Sequence, residues 1–165
     1  KMPNHAYQRV RLTGDSRLIM RLHNEVPNRR FCDAVIPMPL ELLAGDGWYG
    51  WCVEHWDTKW DICSPEIIAT SWGEGSELSS YFGGDEHWFE FTCWTAWSPP
   101  YAIWHRLMEL GICVEAEYFD EGGHFVGTWR DGVMEEWQVE DDWEATCKVT
   151  ERCVGEADYF VVEED

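Results

Sequence analysis

Two stretches of the chain gather side chains that bind metals or move protons. Glu54, His55, Asp57 and Asp61 share one short block. Glu115, Glu117, Asp120, Glu121 and His124 surround another. Carboxylates with imidazole suit divalent ions. Two carboxylates at i and i+2 on a strand share a face, and their repulsion can raise one pKa for acid–base work. Neither block completes a site. Glu54 and His55 are adjacent and do not share a helical face. No second histidine follows His55 at four, and His5, His23, His87, His105 and His124 are scattered. The Glu115–Glu117 pair has no partner nucleophile in view and reads as a negative surface. Cys52 lies one helical turn from His55, but a nucleophilic thiolate needs a lowered pKa, which the field of a strongly acidic protein opposes. The glycines at 73, 75, 83 and 84 match no phosphate-binding loop. No catalytic, metal or cofactor residue is assigned, and a non-enzymatic protein is expected.

The stronger signal is charge. The chain of 165 residues carries a net −20. Residues 131–165 hold 13 carboxylates against Lys148 and Arg152. Such a field repels nucleic acids and anionic membranes and attracts basic protein surfaces. Acidic runs are ordinarily disordered. This one is interrupted by Val133, Met134, Trp137, Val139, Trp143, Tyr159, Phe160 and Val161, enough apolar surface to fold. Glu135, Glu136, Glu140, Asp141, Asp142 and Glu144 are therefore expected to form a shaped negative face. Trp137 and Trp143 would be its apolar anchors, and Glu163, Glu164 and Asp165 a flexible continuation.

The positioning elements follow from periodicity. Tyr7–Leu12 alternates as a strand, and Asp15 caps a helix over Ser16–Glu25 with Leu18, Ile19 and Leu22 on one stripe. Phe31–Ile36 reads as extended, running into Pro37-Met38-Pro39. Trp48, Trp51 and Cys52 have helical spacing, and Asp57-Thr58 ends that helix. Ile67–Trp72 and His87–Thr95 read as strands. The second carries aromatics on both faces, as a central strand does. Residues 73–86 form a polar, glycine-rich connection. Ser98 caps a helix with Pro99 in its first turn, a buried face of Ile103, Trp104, Leu107, Met108 and Leu110, and an end at Gly111. Ile112–Phe119, His124–Arg130 and Met134–Val139 are strands joined by turns at 121–123 and 131–132. Asp142–Val149 suits a helix or an extended piece, and Ala157–Glu163 a weak edge strand. Trp94, Trp97, Ile103, Trp104 and Leu107 are expected to be buried against the sheet. Lys59 is expected over an indole, or paired with Asp57 or Asp61.

Several blocks resemble the YubB/Api92-like family of phage- and plasmid-borne proteins. They are MPNHAYQRVRLTGD at the start, IPMPLEL at 36–42, WYGWCVEHWDTKWD at 48–61, FTCWTAWSPP at 91–100 and YFDEGGHFVGTW at 118–129. His55 and Asp57 stand where the family form has Asn and Gly, and Gly takes left-handed dihedrals more easily than Asp. The resemblance implies a ferredoxin-like domain and a mobile-element origin, and carries no family-wide activity.

The expected fold is α+β: a ferredoxin-like two-layer sandwich over 2–130, mostly antiparallel, with helices on one face. An acidic extension over 131–165 is packed on the domain or continues it. The expected function is a non-enzymatic inhibitor that mimics nucleic acid. Its partner would be a basic, nucleic-acid-binding host protein such as a defence nuclease or CRISPR-type complex. Direct binding of nucleic acid or membrane is not expected. Two alternatives stand beside it. One is a divalent-metal-dependent hydrolase or nuclease using the carboxylates of the 115–124 hairpin. The other is a structural or assembly protein of a phage or plasmid. Seven loosely spaced cysteines without a CxxC motif suit a reduced, cytoplasmic protein. No run of about 18 apolar residues suggests a membrane span, no apolar signal core opens the chain, and Lys1 precedes an expected natural start at Met2.

Overall fold

A computed structural model describes residues 4–73 and 86–161. Strand β1 (His5–Asp15) alternates strictly, with Ala6, Gln8, Val10 and Leu12 buried and His5, Tyr7, Arg9 and Arg11 half-buried on the other face. The Asp15 carboxylate accepts from the Arg17 and Leu18 amides and starts α1 (Ser16–Glu25), whose Ile19 and Leu22 are buried.

Phe31–Val35 is a helix, α2, and not the extended piece expected. The reason is distant in sequence. The Asp61 carboxylate accepts from the amides of Cys32 (2.9 Å) and Asp33 (3.0 Å), satisfying donors that a helix start leaves open. A 3₁₀ turn over Leu40–Ala44 leads to α3 (Trp48–Trp56). Asp57 ends α3 in the left-handed region at φ 66°, the conformation Gly would take more easily. Strand β2 (Cys63–Thr70) is followed by β3 (Glu86–Ala96). Of the glycine-rich connection, residues 74–85 lie outside the described residues, as do Glu163, Glu164 and Asp165.

Helix α4 (Tyr101–Glu109) is not capped by Ser98. The Ser98 hydroxyl donates to the Pro99 carbonyl, and the Ala102 amide donates to Asp57 Oδ2 at 2.9 Å. A carboxylate from the end of α3 thus starts α4. Ile103, Trp104 and Leu107 are buried as expected, whereas Leu110 is exposed. Strands β4 (Cys113–Asp120), β5 (Val126–Arg130) and β6 (Val133–Trp137) and helix α5 (Trp143–Val154) are the remaining described elements. Residues 157–160 form turns and not an edge strand.

Among the described residues all pairings are antiparallel, in a six-stranded sheet of order β2-β3-β1-β4-β5-β6. Helices α1 and α4 pack on one face, and α2 and α3 pack on them. The main core lies there, around Val10, Leu12, Phe89, Phe91, Trp104, Tyr118 and Trp129. The expectation of helices on one face alone is corrected by α5. It packs on β4, β1 and β5 over a second core of Phe119, Val126, Val149 and Cys153, with Tyr7, Trp137, Tyr159 and Phe160 around them. The cause is the alternation of the strands, which gives the second face its own apolar row. Two tryptophans expected to be buried against the sheet are not: Trp94 is half-buried and Trp97 exposed. Trp94 alternates onto the second face and stacks on His5 at 3.6 Å. Trp97, at φ 71° just past β3, is exposed.

All seven cysteines are free thiols. No helix among the described residues is long and apolar enough to cross a membrane.

Candidate interaction site

Cross-strand register arranges the second face in rows. Trp94, Tyr7, Phe119, Val126 and Trp137 line up across β3, β1, β4, β5 and β6, and form the apolar row. Thr92, Arg9, Glu117, Thr128 and Glu135 form the next row. Glu90, Arg11, Glu115, Arg130 and Val133 form the one after. The apolar row contributes Phe119 and Val126 to the second core, and α5 covers that part of the face. The charged rows stay open.

Those rows line a cleft of about 260 Å³ with Arg9, Arg11, Arg130 and Arg152 against Glu90, Glu115 and Glu117. Arg9 donates twice to Glu90 Oε2, at 2.7 and 3.1 Å, and once to the Arg152 carbonyl at the end of α5. Arg11 donates to Glu90 Oε1 at 3.2 Å and lies 3.9 Å above the Trp88 ring. Arg152 donates to Glu117 Oε2, and Glu117 holds its guanidinium above the usual arginine range. Charge-assisted, multidentate pairs of this kind are strong and geometrically specific. Sequence reasoning missed this cleft because its arginines are far apart in the chain. The signal was available in the alternation of Arg9 and Arg11 with Gln8, Val10 and Leu12.

The acidic residues singled out from sequence divide between faces. Glu135 points to the second face and lines a shallow cleft with Trp137 and Asp142. Glu136 alternates to the other face, where its Oε1 accepts from Tyr101 Oη (2.7 Å) and Tyr118 Oη (2.9 Å). Both phenols are pushed up, foremost by burial, and each feels the Glu136 charge. Trp137 is half-buried, and its indole donates to Thr146 Oγ1, so it anchors α5 to the sheet. Asp142 caps α5 through the Ala145 amide, and Asp141 accepts from the Gln138 amide. Glu140, Glu144 and Trp143 are exposed, with Glu144 3.1 Å from Lys148.

The candidates for chemistry do not assemble. Glu54 is exposed, the His55 ring stacks on Trp51, and Asp57 and Asp61 serve as helix caps. Glu115 and Glu117 line the cleft among arginines. Asp120 is buried at the end of β4 and accepts from the Gly122 amide, the His124 amide and the His124 ring, which ties the turn. No group of three or more His, Cys, Asp or Glu able to hold a metal exists among the described residues. Cys52 is pushed up to about 11 by burial, then by Asp61 and Asp33.

One feature of the aromatic blocks stands on the surface. Lys59 Nζ lies 5.2 Å from the Tyr49 ring centre, 5.0 Å from Trp60 and 5.2 Å from Trp97. Of the partners expected for Lys59, the indoles are the ones it takes. A search of family models, curated proteins and solved structures finds no match to the chain.

Proposed function

We propose that the protein is a binding module that docks its β6–α5 acidic ridge on a basic surface of a nucleic-acid-binding protein, where it stands in for phosphate. The observation that supports this most is that the acidic run is folded. Glu135, Glu140 and Glu144 are exposed on a strand, a turn and a helix anchored by Trp137, Thr146, Val149 and Cys153. Carboxylates held on such a frame do not have to be ordered on binding, which removes part of the entropic cost of association. Most described cations are also engaged locally. Arg9 and Arg11 pair with Glu90, Arg152 with Glu117, Arg30 with Asp33, Arg106 with Glu109 and Lys148 with Glu144. The outward field is therefore dominated by carboxylates, as phosphate dominates DNA.

With α2, the 3₁₀ turn and α3 set aside as an insertion between α1 and β2, the order β1-α1-β2-β3-α4-β4 and the adjacency β2-β3-β1-β4 support a ferredoxin-like reading of the first four strands. The sheet is wider than that pattern by β5 and β6. The resemblance to phage and plasmid proteins adds the expectation that the partner is a host factor.

The test is capture of host nucleic-acid-binding proteins at low and high salt, followed by competition with duplex DNA. The triple variant Glu135→Gln, Glu140→Gln, Glu144→Gln spares the caps and the tyrosine-bound Glu136. It should lose most of the capture with an unchanged melting temperature. Capture that DNA does not displace, or that the triple variant retains, would refute the reading.

A further inference from the structure

We propose that the open charged cleft binds a small zwitterion, a molecule with a carboxylate and an ammonium a few atoms apart, such as a free amino acid. The cleft separates into a frame and an open row. Arg9, Arg152, Glu90 and Glu117 are the frame, because they are bonded to one another. Glu115, Arg11 and Arg130 are the open row. Among the described residues the Glu115 carboxylate makes no hydrogen bond and no ion pair, although register sets it directly between Arg11 and Arg130. The nearest carboxylate contact of Arg130 is Glu117 Oε1, at 3.9 Å. Arg11 gives Nη1 to Glu90 and keeps its remaining N–H groups open above Trp88.

One open acceptor is thus flanked by two guanidiniums with unused donors. A bare anion would meet Glu115 between the two arginines and the repulsion of a chain of net −20. A bare cation would meet the two guanidiniums. A zwitterion is neutral overall and escapes the long-range field. Its carboxylate bridges Arg11 and Arg130, and its ammonium meets Glu115. Such contacts are directional and charge-assisted. The site borrows Arg152 from α5, and Arg130 also borders the cleft that Glu135 lines, but the proposal does not rest on the function proposed above.

The experiment is titration of the ¹⁵N-labelled protein with glycine, followed at the backbone amides of Glu115, Ala116, Thr128 and Arg130. Acetate and methylammonium, the two halves of the ligand, are titrated separately. Saturable shifts with glycine and much weaker ones with either half are expected. Glu115→Gln and Arg130→Gln should each weaken binding by about tenfold or more, the usual loss for one charge-assisted hydrogen bond. Arg106→Gln, which opens a pair on α4 outside the cleft, should leave it unchanged. The spectra themselves report whether each variant is folded. Shifts that do not saturate, acetate that matches glycine, or a folded Arg130→Gln variant with full affinity would overturn the proposal.

Discussion

Alanine at position 127 should destabilise the protein and loosen its acidic strand together. Gly127 of β5 lies in register between Tyr118 of β4 and Glu136 of β6. The Tyr118 ring crosses over Gly127 to bring its hydroxyl to Glu136 at 2.9 Å. A Cβ at 127 would stand 2.5 Å from Tyr118 Cζ, 2.6 Å from Oη and 2.7 Å from Cε2. The ring cannot step aside freely. It is fully buried, with Tyr101 5.7 Å and Trp104 5.8 Å away between ring centres. Overpacking of this kind costs about 1–3 kcal/mol. Loss of the phenol–carboxylate bond adds about 1.5–3 kcal/mol where it breaks, and reduced freedom of the unfolded chain returns about 0.4–1 kcal/mol. The expected net loss, with the bond broken, is about 1.5–5.5 kcal/mol by urea unfolding, with m unchanged. Gly50, inside α3, has nothing within 4 Å of its built Cβ. Gly50→Ala should therefore stabilise the protein by up to about 1 kcal/mol. The opposite signs are the point of the pair. If Gly127→Ala lies within about 0.5 kcal/mol of the parent, the range for unremarkable surface changes, the ring does not cross β5 and the anchoring of Glu136 is refuted.

Further expectations follow from the caps, the phenols and the thiols. Asp57→Ala removes the α4 cap and leaves a Cβ-bearing residue in the left-handed region. It should cost about 1–2 kcal/mol in chemical denaturation, whereas Asp57→Gly loses the cap but relieves the backbone and should cost less. Burial raises Tyr101 and Tyr118 in the fold, so above about pH 10 the unfolded chain releases phenolic protons that the native state keeps. The native state then binds more protons, stability falls as pH rises, and Tyr101→Phe should flatten that fall in urea titrations between about pH 9 and 11. Mass spectrometry after brief alkylation of native protein should find Cys113, which is exposed, modified ahead of the buried Cys32, Cys52, Cys93 and Cys153. Early labelling of Cys52 would contradict its elevated pKa.

What could be read from sequence was what local pattern encodes. The alternation of β1 and of Trp88 to Thr95, the Asp15 cap and the stripe of α4 all depend on neighbours a few positions away. Helix α2 was missed because its cap, Asp61, arrives 28 residues after Asp33. Ser98 was misread because the vacancy it would fill is taken by Asp57, 45 residues before Ala102. Trp97 carries the composition of a core residue, but its positive φ turns it outward at the end of β3. The acidic residues were identified as a charge run. Their division followed only once β6 was known to be a strand, which sends Glu135 and Glu136 to opposite faces. The charged cleft was the least legible, since it depends on the register of four strands and the seat of α5 together.

The two ends of the sheet are guarded by different means, and the difference matters for self-association. Strand β2 carries Pro65, Ser64 at φ 46° and two register irregularities against β3. A proline and bulges make an edge a poor template at any pH. Strand β6, the other end among the described residues, is a regular edge with exposed Val133 and Met134, and its protection is the charge of Glu135 and Glu136. That protection rests on two side chains alone, so Glu135→Gln with Glu136→Gln would strip it and let two β6 edges meet across a two-fold axis in one continuous sheet. The outer ends of that pair would both be β2, a poor template for a further copy. Association by this route would stop at dimers, because an isologous contact with blocked far edges cannot propagate into a fibre.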